Sequence, residues 1–248
     1  MKKNKIVVVM PAYNAAKTIL KTFNDIPKNL DCTTIVVDDN SKDQTVKVAK
    51  KLGLKTYIHN NNLGYGANQK TCYWEALKLK PDIVVMIHPD YQYDARLTGE
   101  LIKPIVDKRF DIMLGSRIRT RKEVLAGGMP WWKYLSNRFL TIFENIVLGL
   151  NLSEYHTGFR AYSKEVLKTI PFQKFSNNFI FDQQIIFSAV SYDFRIGEIP
   201  VPVRYFPEAS SINFGSSVVY GLGILLNLLL FVFYKIGLIN GFLFKKNE

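Results

Sequence analysis

Ile83-Val84-Val85-Met86-Ile87-His88-Pro89-Asp90-Tyr91-Gln92-Tyr93-Asp94 joins five consecutive apolar residues to a polar cluster. An uninterrupted apolar run without alternation reads as a strand buried on both faces. Two earlier runs, Ile6–Met10 and Thr34–Val37, have the same character, and helical patterns lie at about residues 15–27, 43–52 and 65–79. Strand–helix–strand alternation predicts a parallel sheet with right-handed crossovers. A further strand is expected at Asp111–Gly115, leading into Ser116 and Arg117. The fold class expected is therefore α/β, a Rossmann-like, mostly parallel sheet with helices on both faces.

In such sheets ligands bind beyond the carboxyl ends of the strands. Polar clusters fall there: Pro11–Ala15, Asp38–Asp43, His59–Gly66, His88–Asp94 and Ser116–Arg121. Adjacent Asp38 and Asp39 repel unless a donor group or a positive charge sits nearby, so they point to a base, a ribose or a metal. Asn40, Ser41 and Asp43 read as turn and capping residues. Tyr13 can stack on a nucleobase, and Asn14 can cap the next helix. Gly64 and Gly66 precede a helix whose N–H groups and dipole favour phosphate, although such a pair is also an ordinary turn. His88, Asp90 and Gln92 alternate and can converge on one cation. Oxygen ligands suit Mg²⁺ or Mn²⁺ bridging a diphosphate, and an imidazole tips the choice to Mn²⁺. His88 reads equally as a turn histidine satisfied by its neighbours. Arg117, Arg119, Arg121, Lys133 and Arg138 are each ordinary solvated charges; as a set, one or two are expected to neutralise phosphate.

The formal charge of +12 implies anionic partners. No nucleic-acid-binding motif occurs and the charges are scattered, which argues against nucleic acid. Cys32 and Cys72 lack metal spacing and read as buried free thiols. Ile6–Met10 is too short for a signal-peptide core, so the chain is expected to begin in the cytoplasm. In the second half, Gly127-Gly128 marks a turn before a helical pattern at Trp131–Leu150. A polar stretch, Glu154-Tyr155-His156-Thr157-Gly158-Phe159-Arg160, precedes a short helix from Ser163. Helix Phe179–Ser191 and strand Arg195–Arg204 close a domain expected to span residues 1–214. Residues 215–248 form a hydrophobic C-terminal segment, almost wholly apolar from Val218 to Phe244. It is long enough to cross a bilayer. Tyr220, Gly223, Asn227, Tyr234 and Gly237 nevertheless make a thin polar or small stripe, which favours a helix lying on a membrane over a spanning one. A very hydrophobic docked core helix is the plainer alternative.

Taken in order, Pro11-Ala12-Tyr13-Asn14, Val36-Val37-Asp38-Asp39-Asn40-Ser41, Gly64 with Gly66-Ala67, and Asp90-Tyr91-Gln92 resemble the family-two glycosyltransferases of GT-A fold. Most similar is the dolichyl- or polyprenyl-phosphate sugar synthase branch. Gly115-Ser116-Arg117, Gly158-Phe159-Arg160 and Glu198-Ile199-Pro200-Val201 extend the resemblance over roughly residues 5–205. It implies that Pro11, Tyr13, Asp38 and Asp39 hold the nucleotide, that Asp90 and Gln92 bind the metal, and that Arg117 faces the donor phosphates. The candidate donor set is then Pro11, Ala12, Tyr13, Asp38, Asp39, Gly64, Asn68, Asp90 and Arg117; the candidate metal set is His88, Asp90 and Gln92. Two departures stand out: His88 replaces the first acid of an Asp-x-Asp motif, and Ala15 replaces an acidic residue.

Inverting sugar transfer needs a stabilised leaving group and an oxygen attacking in line. A metal at Asp90 and the basic residues, Arg117 among them, are expected to serve the first need. A lipid phosphate is already anionic, whereas a hydroxyl needs a carboxylate to take its proton. Asp182 is the first candidate and Glu154 the second, with a dipole-stabilised helix start an equal reading of Asp182. His156, Arg160 and Arg138 are expected to bind the acceptor, Arg160 reading equally as an ion-pair partner. The expected activity is metal-dependent transfer from a nucleotide sugar to a polyprenyl phosphate at the cytoplasmic membrane face. A glycan or glycolipid hydroxyl acceptor, or a scaffold that binds nucleotide sugars without catalysis, are the alternatives. A nucleotidyltransferase would place a glycine-rich loop where Pro11-Ala12-Tyr13-Asn14 stands.

Overall fold

The computed structural model describes residues 4–202, 204, 214–239 and 243–245. Strand β1 (Ile6–Ala12) leads through α1 (Ile19–Asp25) to β2 (Cys32–Asp38), then α2 (Thr45–Lys51) and β3 (Lys55–Ile58). Next come α3 (Tyr65–Lys78), β4 (Ile83–Ile87), α4 (Thr98–Val106) and β5 (Ile112–Ser116). Helices α5 (Arg121–Ala126) and α6 (Trp131–Leu148) precede β6 (Phe159–Ser163) and α7 (Lys164–Thr169). Helix α8 (Phe181–Ser191), β7 (Ile196–Pro200) and α9 (Phe214–Lys235) follow.

Among the described residues the strands form one sheet in the order β3-β2-β1-β4-β6-β5-β7. All neighbours are parallel except β6, which runs antiparallel between β4 and β5. Alternate side chains divide between two cores. Val7, Val9, Ile35, Val37, Val84 and Met86 pack against α3, α8 and α9. Val8, Met10, Val36 and Val85 face α1, α2 and α4. The mostly parallel α/β architecture is thus as the sequence implies. Two strands depart from that reading. Edge strand β3 is too short and too exposed to show a period, and β6 hides in a stretch that reads as a polar loop. Within β6, Arg160 is fully buried, its guanidinium donating to the carbonyls of Thr157, Tyr155 and Asp182.

Helices α6 and α9 share an unusual facing. Helix α6 turns Asn137, Thr141 and Glu144 inward with Leu140 and Leu148, and exposes Leu135, Phe139, Ile142, Phe143 and Ile146. Helix α9 contains a segment, Ser217–Lys235, long and apolar enough to cross a membrane. It lies along the body through Ile224, Asn227, Leu228, Phe231 and Tyr234, with Asn227 accepting from Gln184. Tyr220, Gly223, Asn227 and Tyr234 of the expected stripe turn towards the protein, Gly237 is exposed beyond the helix, and Val219, Leu222, Leu226 and Leu229 face out. Beyond the helix, Phe244 packs against Phe231 and Tyr234, Leu243 is buried, and the Lys245 N–H donates to Ser191. The C-terminal helix shares the main core. The expected boundary at 214 adjoins residues 205–213, which lie outside the described residues, as do tail residues 240–242.

Candidate active site

One cleft of about 540 Å³ runs along the carboxyl ends of β1 and β4 to the inner sides of α6 and α9. Its first end is built from loops that bond extensively to one another. Asp39 accepts from the Leu63 and Gly64 N–H groups, each at 2.9 Å, and lies 2.7 Å from His59 Nδ1. Its own N–H donates to the Ala12 carbonyl. Asn14, in the left-handed region at φ 51°, accepts from Lys42 N–H and donates its own N–H to Ser41. It ties two loops together and caps no helix, since α1 starts only at Ile19. Pro11, Ala12, Tyr13, Asp39, Gly64, Asn68, Asp90 and Arg117 all border the cleft.

Asp38 does not. It points away from its neighbour, as strand alternation requires, and accepts from Ser41 N–H at 2.9 Å while its Oδ1 is buried without a partner. The glycine pair also serves a purpose other than the expected phosphate cradle. Gly66 N–H donates to the Asn177 carbonyl at 2.7 Å, and Ala67 N–H points to the same oxygen. The amides at the start of α3 are thus taken by protein. A Cβ on Gly66 would stand 2.5 Å from the Ser176 carbonyl, so glycine is there to let the two backbones approach. Asn68 does keep capacity for a ligand: it donates to Ala12, while its Oδ1 is buried and unpartnered beside the cleft.

Among the described residues no group of three or more His, Cys, Asp or Glu could hold a metal unaided. The residues present still fit a divalent cation that takes most of its oxygens from a diphosphate and water, needing one or two carboxylates from the protein. Asp90 supplies one. Burial holds its carboxyl above the ordinary range, with the Gln92 N–H and the Arg117 charge pulling the other way, so added positive charge would stabilise its anion. Gln92 borders the cleft next to it. His88 fits less well. Its Nε2 is 3.0 Å from the Tyr65 hydroxyl, which donates in turn to Asp182 at 2.7 Å. That direction assigns the proton to Nε2, closing that nitrogen to a metal and leaving Nδ1 as the ring's one lone pair. Burial lowers the ring's pKa, keeping it neutral, and a Cβ on Gly158 would come within 2.2 Å of it.

Arg117 enters the cleft from the end of β5, clamped by Glu154 through its backbone N–H, Nε and Nη2. Burial tends to raise the Glu154 carboxyl, but the Arg117 charge and hydrogen bonds leave it below the usual carboxylate range. Glu154 also accepts from Asn137 and has no exposed surface, so it orients Arg117 and lies off the cleft wall. Asp182 does line the cleft, accepting from Tyr65 and from Gln69. His156 lines it as well. Arg138, expected at the acceptor, donates instead to the Ser153 carbonyl; Arg160 takes its alternative reading as a buried structural partner, donating to three carbonyls and standing 3.7 Å from the Asp182 carboxylate. The sequence reading missed Tyr65, though it sits between the two noted glycines, and Glu144, whose signal is a lone carboxylate within an apolar helix.

A mostly parallel sheet with a carboxylate-bearing loop after β4 and an arginine after β5 is the GT-A arrangement of nucleotide-sugar-dependent glycosyltransferases. Solved structures agree: glucosyl-3-phosphoglycerate synthase from Mycobacterium tuberculosis, in complex with uridine diphosphate, superposes with a TM-score of 0.70 at 20% identity, over 92% of this chain and 80% of that one. In sequence, residues 7–170 match the family Glycosyl transferase family 2. The chain belongs to that family. The UDP-N-acetylglucosamine–dolichyl-phosphate N-acetylglucosaminyltransferase of Methanococcus voltae is 28% identical across 93% of this chain and 97% of that protein. The low-salt glycan biosynthesis hexosyltransferase Agl6 of Haloferax volcanii is also 28% identical, across 84% of this chain but 49% of its own length.

Proposed function

We propose that this enzyme transfers a sugar, with inversion, from a nucleoside diphosphate donor to a polyprenyl phosphate at a membrane surface. One observation carries the reading: the cleft leads from the strand-end loops to helices α6 and α9, whose outer faces are apolar. Apolar surface turned outward on this scale marks a contact, and two adjacent helices with polar residues inside and leucine and phenylalanine outside suit lipid. The formal charge of +12 complements anionic headgroups, and the cytoplasmic leaflet is the side proposed. The Methanococcus voltae relative, named for a dolichyl-phosphate acceptor, supports the same acceptor class.

Pro11, Ala12, Tyr13, Asp39, Gly64 and Asn68 are proposed to hold the nucleotide, with Asp38 shaping the loop from behind. Asp90 and Gln92 would hold Mg²⁺ or Mn²⁺, which when bound supplies positive charge to the leaving diphosphate. Arg117, kept in place by Glu154, adds a fixed cation there. The attacking phosphate oxygen is already anionic and asks for no base. That suits Asp182, whose two oxygens each already accept a hydrogen bond. A hydroxyl acceptor would need Asp182 to take a proton. The two readings separate on farnesyl phosphate and farnesol as short acceptors, each tried with nucleotide sugars and Mn²⁺. Sugar transfer to farnesyl phosphate that survives Asp182→Asn is expected; transfer to farnesol alone, abolished by Asp182→Asn, refutes it.

A further inference from the structure

Glu144 lies on the buried side of α6 with no exposed surface, and its Oε2 is 3.3 Å from Nε2 of His156. Among the described residues, neither of its oxygens nor either ring nitrogen has a hydrogen-bond partner. Buried polar atoms are ordinarily paired, because giving up water without replacement is costly. Four orphaned atoms on two touching side chains call for a function.

The neighbours set the charge. Arg117 and Glu154 neutralise each other, and Arg160 stands 3.7 Å from Asp182. From α9, Tyr220 meets the His156 ring edge-on with centroids 5.8 Å apart, its hydroxyl accepting from Gln183. Tyr155 lies nearby on the His156 loop. Burial pushes the Glu144 carboxyl well above its usual range and pulls the His156 ring down to about 3. Both shifts favour the neutral form of the pair, with the shared proton on the carboxyl rather than on the ring. His156 lines the cleft where α6 and α9 wall it.

We propose that Glu144 is a positioning residue for the acceptor: it stores a proton that passes to His156 when an anionic phosphate enters. The Glu144 O–H bond breaks, an N–H bond forms at His156 Nε2, and the carboxylate remains beside the imidazolium. No proton enters or leaves the protein. The phosphate's field, little screened in a buried site, draws the charge from within. Until the acceptor binds, the site avoids holding a desolvated ion pair. The proposal rests on the phosphate-acceptor reading above.

The test compares wild type with Glu144→Gln and Glu144→Asp on farnesyl phosphate. Glu144→Gln is expected to raise the acceptor KM about tenfold, with kcat within about twofold and donor KM unchanged. Glu144→Asp recovers part of the loss. The chain has three histidines, so ring resonances can be assigned by substitution. Adding farnesyl phosphate at about pH 7.5 should bring the His156 ring to the imidazolium state in wild type and not in Glu144→Gln. A folded Glu144→Gln with unchanged acceptor KM overturns the proposal, and so does a wild-type ring that stays neutral at saturation. Should Glu144→Gln fail to fold, the wild-type ring decides alone. Wild type that uses farnesol and ignores farnesyl phosphate brings down the acceptor reading and the proton transfer with it; wild type that uses farnesyl phosphate with a neutral ring brings down the proton transfer only.

Discussion

The two ends of the cleft are built in opposite ways. At the strand-end loops nearly every polar group is satisfied before any ligand arrives: Asp39 grips the 63–64 backbone, and Asn14 and Ser41 tie adjacent loops. At the α6–α9 end the polar atoms of Glu144 and His156 are unpaired and the outer faces of the helices are apolar. The first end is preorganised for a ligand made mostly of fixed polar atoms. The second leaves its bonding and its cover to what binds there.

Four outcomes would sharpen or break that contrast. The largest belongs to the first end: Asp90→Asn should lower sugar transfer roughly a thousandfold, the several kcal/mol a bound cation supplies. Calorimetry should show Mn²⁺-dependent donor binding lost and farnesyl phosphate binding kept; loss of both would mean that the ends are not separate. Next, Glu154→Ala leaves Arg117 buried without its carboxylate. Roughly 3 kcal/mol of stability should disappear in urea unfolding, the low end for a broken buried pair because Arg117 keeps the His156 carbonyl. A cost below about 1 kcal/mol would make the clamp ornamental.

At the other end, Phe139→Ser with Phe143→Ser removes two exposed rings 4.8 Å apart on α6. Co-sedimentation with anionic vesicles should weaken at least about tenfold, while stability changes by only about 0.5 kcal/mol. Unaltered sedimentation would place the contact elsewhere. The smallest effect is in pH. Above about pH 6.5, the unfolded pair binds no proton while the folded pair keeps one, so its contribution falls as pH rises. Between about pH 4.5 and 6.5, both states hold one proton and the contribution is flat. Below that, the unfolded pair takes a second proton that the fold refuses, and stability falls again towards the His156 value of about 3. Replacing Glu144 by Gln should remove the loss on the alkaline side, about 1.4 kcal/mol per pH unit in thermal or urea unfolding; an unchanged alkaline slope would show that Glu144 is ionised in the fold.

The contrast also explains what the sequence made legible. The strand-end motifs are contiguous: Asp38-Asp39 closes β2 and His88 to Gln92 follows β4, so composition and position alone expose them. The other end is assembled from α6, α9 and the 153–158 loop, remote in sequence and joined only by packing. Helix periodicity reveals α6 and the stripe on α9, but it cannot say which side of an amphipathic helix faces inward when lipid is a possible neighbour. Arg160 looked like an acceptor ligand because a buried arginine satisfied by three carbonyls has no local signature. Gly66 looked like a phosphate cradle because the backbone pressing on it comes from residues 176–177, over a hundred positions away.

The Tyr65 hydroxyl stands between His88, beside the proposed metal ligand, and Asp182, which borders the far half of the cleft. Any ligand that shifts one of these groups must alter the energy of the other through that single oxygen. Thermodynamic reciprocity then makes the two substrates effectors of each other, each changing the other's affinity by the same factor. Much of that mutual dependence would rest on one phenol, and Tyr65→Phe would weaken it equally in both directions.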